Sequence, residues 1–98
     1  MHVLVTGGNG TVGNAIVDQL GGTDEYEFTC LDVEDHPDRE TVVADITDLD
    51  DLRGHFDDVD AVIHLAAVVD LSGSWEAILQ NNIIGTYNVL QAAAEAEV

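Results

Sequence analysis

No lysine occurs in the 98 residues, and arginine occurs only at Arg39 and Arg53. Against these two cations stand 20 aspartates and glutamates, a formal net charge of -18. Such a chain has almost nothing with which to neutralise phosphate, which argues against nucleic acid as a partner. An anionic membrane surface is disfavoured for the same reason. Cysteine appears once, at Cys30. That excludes an internal disulfide, and its place in an apolar run reads as a small core residue. His2, His36, His55 and His64 offer no metal-ligand spacing, so no metal site is expected. No apolar run approaches a membrane span, and no basic segment with a long apolar stretch opens the chain. The expected location is the cytoplasm.

What is present fits one compact domain. The 46% hydrophobic content is dispersed in short runs, and the acids are spread along the chain. A disordered acidic tail is therefore not expected. At ordinary ionic strength this charge repels itself and loosens the compact state. At molar salt the Debye length falls to about 3 Å and most of the repulsion is screened. The composition reads as that of a halophilic protein.

Along the chain, His2-Val3-Leu4-Val5 is an apolar run of the kind buried on both faces of a sheet. Val12, Ala15, Ile16 and Leu20 then recur at helical spacing, and Gly21-Gly22 stops that helix. A second strand is expected over 26–31, ending at Asp32, and a third over 41–44, ending at Asp45. Between them Glu34 to Glu40, with the only proline (Pro37), reads as loop. Asp48 can cap a short helix carrying Leu49, Leu52 and Phe56 on one face. A fourth strand is expected over 61–65, then a loop at Ser72-Gly73-Ser74, then one long helix from about Trp75. Strands alternating with helices demand crossover connections, hence an α/β fold with a doubly wound parallel sheet.

The stretch Val5-Thr6-Gly7-Gly8-Asn9-Gly10-Thr11-Val12-Gly13 needs a reason for its four glycines, each costly in backbone entropy. Read from Gly8 it fits G-x-G-x-x-G; read from Gly7 it fits G-x-x-G-x-x-G. It follows a strand, opens a helix, and precedes Asp32 by the spacing expected of a dinucleotide-binding fold. Gly7 permits the tight turn, Gly10 lets the backbone approach a pyrophosphate, and Gly13 lets the helix pack on the strand. The helix N-terminus supplies unpaired N–H donors and roughly half a positive charge. With no lysine to offer, backbone amides must provide most of the attraction. Asp32 can accept both ribose hydroxyls, which favours NAD and repels a 2′-phosphate. Arg39 is the one nearby cation that could reverse that preference; the alternative is a solvated loop residue.

These blocks resemble the extended short-chain dehydrogenases/reductases, the NAD-dependent epimerase/dehydratase family. The match runs through Thr6–Gly13, Leu31-Asp32, Ala44-Asp45-Ile46, His64-Leu65-Ala66-Ala67 and the run Asn82-Ile83-Ile84-Gly85-Thr86-Tyr87-Asn88. The resemblance implies a Rossmann-type fold binding NAD. It places Thr11 and Val12 on the pyrophosphate through their amides, and Asp32 on the adenosine ribose. It gives Asp45 to the adenine amino group, with Ile46 against the ring. Leu65, Ala66 and Ala67 would line the cofactor channel, with Val69 near the nicotinamide half. Asn82 would tie the last helix to the strand edge, near the cofactor or through a water. His64 reads as a satisfied core histidine rather than a catalyst.

The helix beginning Trp75-Glu76-Ala77-Ile78-Leu79-Gln80-Asn81 is similar to that of uronate dehydrogenases and haloarchaeal hexose-phosphate dehydrogenases, which would make Ser72 a sugar contact. Sugar-nucleotide epimerases share much of the pattern. The family's chemistry uses a Tyr-x-x-x-Lys pair, and a chain without lysine has none, so no catalytic residue is assigned. Residues 1–98 are expected to be the NAD-binding N-terminal portion of such an enzyme, about four strands without the fifth, inactive alone. A homo-oligomer is expected. The alternative is a non-enzymatic nucleotide-sensing or interaction module.

The charge makes a direct prediction. Unfolding followed against KCl should show a clear gain in stability between low and molar salt, and equal stability at the two would overturn the halophilic reading.

Overall fold

The structure is a computed structural model and describes residues 1–70 and 72–98. Four parallel strands form one sheet in the order β3-β2-β1-β4, with β1 at His2–Thr6, β2 at Glu27–Asp32, β3 at Thr41–Val43 and β4 at Ala61–His64. The central position goes to β1 because Val3, Leu4 and Val5 are apolar on both faces and wholly buried. It registers Val5 against Cys30 on one side and against Ile63 on the other. This is the Rossmann-like order, with the chain crossing from β3 over to β4.

Side-chain alternation divides the sheet into two faces. On one, Leu4, Leu31 and Val62 meet α2 (Leu49–Leu52) and α4 (Gly85–Glu95) in a core completed by Phe56, Val59, Val89 and Ala92. On the other lie Val3, Val5 and Cys30, with Cys30 beneath the glycine loop that leads into α1 (Thr11–Leu20). Asp48 caps α2 as its sequence suggests, accepting from the amides of Asp50 and Asp51. At the far end Arg53 pairs with Asp50 and with Glu95, joining α2 to the end of α4. No helix among the described residues is long and apolar enough to cross a membrane.

The strands match their expected places to within a residue or two, but the last helix is not uniform. After α3 (Trp75–Ile78) it widens into a π-helical segment over Leu79–Ile84, in which the Gly85 amide donates to the Gln80 carbonyl five residues back. Two contacts hold this widened turn. The Asn82 carboxamide is clamped to the Val68 backbone through both its oxygen (2.7 Å) and its nitrogen (3.0 Å). Gly85 is pressed onto Ile46 so closely that a Cβ would lie 2.6 Å from Ile46 Cδ1. Wide turns of this kind occur mostly as local bulges, frequently at functional sites.

Further along α4, Asn88 is only 6% exposed and donates through Nδ2 to the Ile46 carbonyl at 2.8 Å. Asn88→Ala would leave that carbonyl without its partner inside the core, a cost of about 1–3 kcal/mol. Thermal unfolding in molar KCl should show a lowered midpoint for this variant and little change for Asn81→Ala, whose own side-chain bond is a local one to the Ala77 carbonyl.

Candidate functional site

The site is built around a place where the backbone approaches itself. Gly7 has a φ of +66°, the left-handed region that favours glycine, and a Cβ there would lie 2.8 Å from the Ala66 amide nitrogen. A Cβ on Gly13 would lie 2.6 Å from Gly8 Cα, so the start of α1 can rest on the loop only because Gly13 lacks a side chain. Gly10 serves as the N-cap of α1 with no capping side chain. Its amide donates to the Gly7 carbonyl at 3.0 Å. The amides of Thr11, Val12 and Gly13 have no partner among the described residues. They form an uncapped, electropositive helix end.

These amides open onto a cleft of about 490 Å³ along the carboxyl ends of the strands. One wall is the loop and helix start, with Gly7, Gly10, Thr11, Val12 and Gly13. The floor and opposite wall are apolar: Leu31, Val33, Ala44 and Ile46 at one end, Leu65, Ala66, Ala67, Val68 and Val69 at the other. Asp32, at the end of β2, is the one ionisable group among the described lining residues. Its carboxylate is fixed from two sides, Oδ2 accepting from the Asn9 amide (3.1 Å) and Oδ1 from the Val33 amide (2.8 Å). The Asn9 side chain donates to the Glu34 carbonyl (2.9 Å) and to Thr41 Oγ1 (3.0 Å). Thus the glycine loop and the end of β2 are held as one body.

Eleven of the residues expected at a cofactor site come together in this cleft; Asp45 and Asn82 do not line it. Asp45 sits between Ala44 and Ile46, but its Oδ1 accepts from both the amide and the hydroxyl of Thr47, closing a turn. Asn82 spends its carboxamide on Val68, tying helix to strand edge directly. Ser72 is exposed and apart from the cleft, its amide donating to Asp70. Asn81 also lines the cleft, and helical periodicity gives no sign of the π-helical turn in which it sits. Of the two readings open for Arg39, its half-buried position fits a cation near the loop better than a solvated loop residue. Arg39 lies beside Cys30, whose sulfur packs under Gly8, and so stands close to the glycine loop. Burial pushes the Cys30 thiol up, with the Arg39 charge opposing.

His64 lies under the same cleft. Its Nδ1 is 2.6 Å from Thr6 Oγ1 and its Nε2 is 3.0 Å from Thr86 Oγ1. The Thr86 hydroxyl donates to the Asn82 carbonyl at 2.7 Å, so its lone pair is left to accept from Nε2–H. Nδ1 then accepts from the Thr6 hydroxyl. This arrangement requires a neutral ring, and burial holds the His64 pKa below its ordinary value.

The model of the NAD dependent epimerase/dehydratase family matches residues 3–98. An NAD-dependent glucose-6-phosphate dehydrogenase from Haloferax volcanii is 39% identical over 98% of this chain and 39% of its own length. A mutant uronate dehydrogenase from Agrobacterium tumefaciens, solved in complex with NAD, superposes with a TM-score of 0.83 at 27% identity, covering 98% of this chain and 37% of that one. A UDP-N-acetylglucosamine 4-epimerase from Bacillus cereus superposes with a TM-score of 0.84 at 34% identity, covering 100% of this chain and 35% of that one. The chain thus spans less than two fifths of the length of each.

Acidification tests the His64 assignment. The unfolded chain takes up a proton on this residue at about pH 6.5, whereas the folded chain does so only at lower pH. Its contribution to stability is therefore complete above pH 6.5 and is lost as the pH falls towards the folded value. Denaturant unfolding should show this acid loss in the native protein and a smaller one in His64→Gln.

Proposed function

Because the chain belongs to the NAD dependent epimerase/dehydratase family, we propose that it is the dinucleotide-binding unit, residues 1–98, of an NAD-dependent sugar dehydrogenase or epimerase. The observation that carries this reading is the cleft itself, an uncapped helix end facing one fixed carboxylate across an apolar floor. The amides of Thr11, Val12 and Gly13 would hold the pyrophosphate. Asp32 would take the adenosine ribose, with Ile46 against the adenine. Leu65, Ala66, Ala67 and Val69 would flank the nicotinamide half. Gly7 and Gly10 supply the space, and the absence of lysine leaves backbone donors to hold the anion.

NAD when bound supplies a hydride acceptor. This chain's own residues bind and orient it; the proton-moving Tyr-x-x-x-Lys pair of the family is not among them. Asp45 and Asn82 act indirectly in this reading, by shaping the Ala44–Ile46 turn and by anchoring Val68. Ser72, at the mouth of the loop before α3, is the candidate sugar contact. The acidity and the Haloferax relative support a halophilic, cytoplasmic enzyme.

A homo-oligomer is part of the same proposal. Ile83, Tyr87 and Leu90 stand 50%, 61% and 64% exposed on one stripe that ends at Ala94, and no charged residue occurs between Glu76 and Glu95. On such a face two copies that each carry -18 can meet without opposing carboxylates. Sedimentation in molar KCl should show association, and a strict monomer would count against it.

Calorimetric titration in molar KCl tests the cofactor assignment. NAD should bind, and NADP about tenfold or more weakly, because Asp32 repels a 2′-phosphate; tenfold is about 1.4 kcal/mol. Asp32→Asn should narrow that ratio. Preference for NADP in the native protein would refute the role given to Asp32.

A further inference from the structure

Three walls of the cleft meet at one imidazole. Thr6, fully buried, is the last residue of β1 and leads straight into Gly7. Its Oγ1 accepts from the amide of Leu65 (3.1 Å), which is shared with the Thr6 carbonyl at 3.1 Å, and from that of Ala66 (3.3 Å), the residues that carry β4 into the opposite wall. With those two donors in place, the Thr6 hydroxyl proton points to His64 Nδ1 at 2.6 Å. On the other side of the ring, Nε2–H reaches Thr86, and Thr86 closes the path at the Asn82 carbonyl. Asn82 in turn holds the Val68 backbone. The hydrogen bonds therefore run in one direction from the Leu65–Ala66 wall to the π-helical arm, and every donor in them has an acceptor.

We propose that His64 is a positioning residue for the dinucleotide: the neutral ring joins the glycine loop, the Leu65–Ala66 wall and the Asn82–Val68 clamp, so that affinity for the cofactor falls when the ring is protonated. This rests on the reading of the cleft as an NAD site. A protonated ring donates from both nitrogens. Nδ1–H would then face a Thr6 oxygen that already accepts from two amides, and the Thr6 proton would lose its acceptor. Either the hydroxyl or the Leu65–Ala66 backbone must move. Gly7 lies against Ala66 with no room for a side chain, so the displacement reaches the phosphate loop directly. The groups facing the ring are the Thr6 hydroxyl from β1 and the Thr86 hydroxyl from α4; no ionisable side chain faces it among the described residues, and burial alone lowers its pKa.

The test is the affinity for NAD measured from pH 8 to pH 5 in molar KCl, with circular dichroism confirming the folded state at each pH. The native protein should lose about fivefold or more in affinity towards pH 5, as a proton linked to binding requires. His64→Gln, which cannot titrate, should show a flat profile. Thr86→Val should bind more weakly than the native protein already at pH 8, while Thr86→Ser, which restores the hydroxyl, should match it. These two variants decide the matter if His64→Gln does not fold. A native affinity independent of pH, a slope that survives in His64→Gln, or a Thr86→Val indistinguishable from Thr86→Ser would each overturn the proposal. Failure of NAD to bind even at pH 8 overturns the NAD reading itself, and this proposal with it.

Discussion

Between Gly8 and Gly13 there is no space for a side chain, and the rest of the site depends on that contact. A Cβ on either residue would enter its neighbours, on Gly8 at 2.7 Å from the Cys30 side chain and on Gly13 at 2.6 Å from Gly8 itself. Through it the first turn of α1 is laid on the sheet with its amides directed over the ends of β1 and β2. The same closeness makes the loop rigid without any side-chain cap. Asn9 then extends that rigidity to Asp32, Glu34 and Thr41, so the anion-binding end and the carboxylate keep a fixed separation.

The charge balance explains why the site is made this way. A protein with two arginines has few cations to place, and Arg53 is engaged with Asp50 and Glu95, away from the cleft. Most of the attraction for an anion comes from peptide dipoles, which pH does not titrate, with Arg39 beside Cys30 the one cation near the loop. The cost is that these donors work only at short range and in one geometry. Backbone placement, rather than side-chain chemistry, is what the glycines of this loop supply.

Much of this is legible in the sequence. The glycine spacing, Asp32 at a strand end and the alternation of apolar runs with helices are local signals with a direct physical meaning, and the sheet and most of the cleft follow from them. The rest depends on tertiary contacts. Asp45 prefers its own turn at Thr47, and Asn82 prefers the Val68 backbone; each choice turns on a partner at hand in space that spacing alone does not reveal. Asn81 enters the cleft because Gly85 packs on Ile46 and Asn82 on Val68, which together widen the helix. A period of 3.6 contains no hint of that. Arg39 comes to lie beside Cys30 through the path of the loop before β3, where the sequence shows only a run of charged and polar residues around Pro37.

The widened turn at Leu79–Ile84 has a geometric effect beyond its own six residues. Each residue of an α-helix advances about 100° around the axis, so one extra residue in a turn rotates everything after it by that amount. The arm is therefore two helices out of phase on a common axis. Its first half turns Asn81 towards the cleft and Asn82 onto the Val68 backbone, while its second half turns Asn88, Val89 and Ala92 into the core. A straight helix of the same sequence could satisfy one of these faces but not both. The bulge thus works as a fixed phase shifter: it absorbs one residue within the arm, so that the faces before and after it both stay seated.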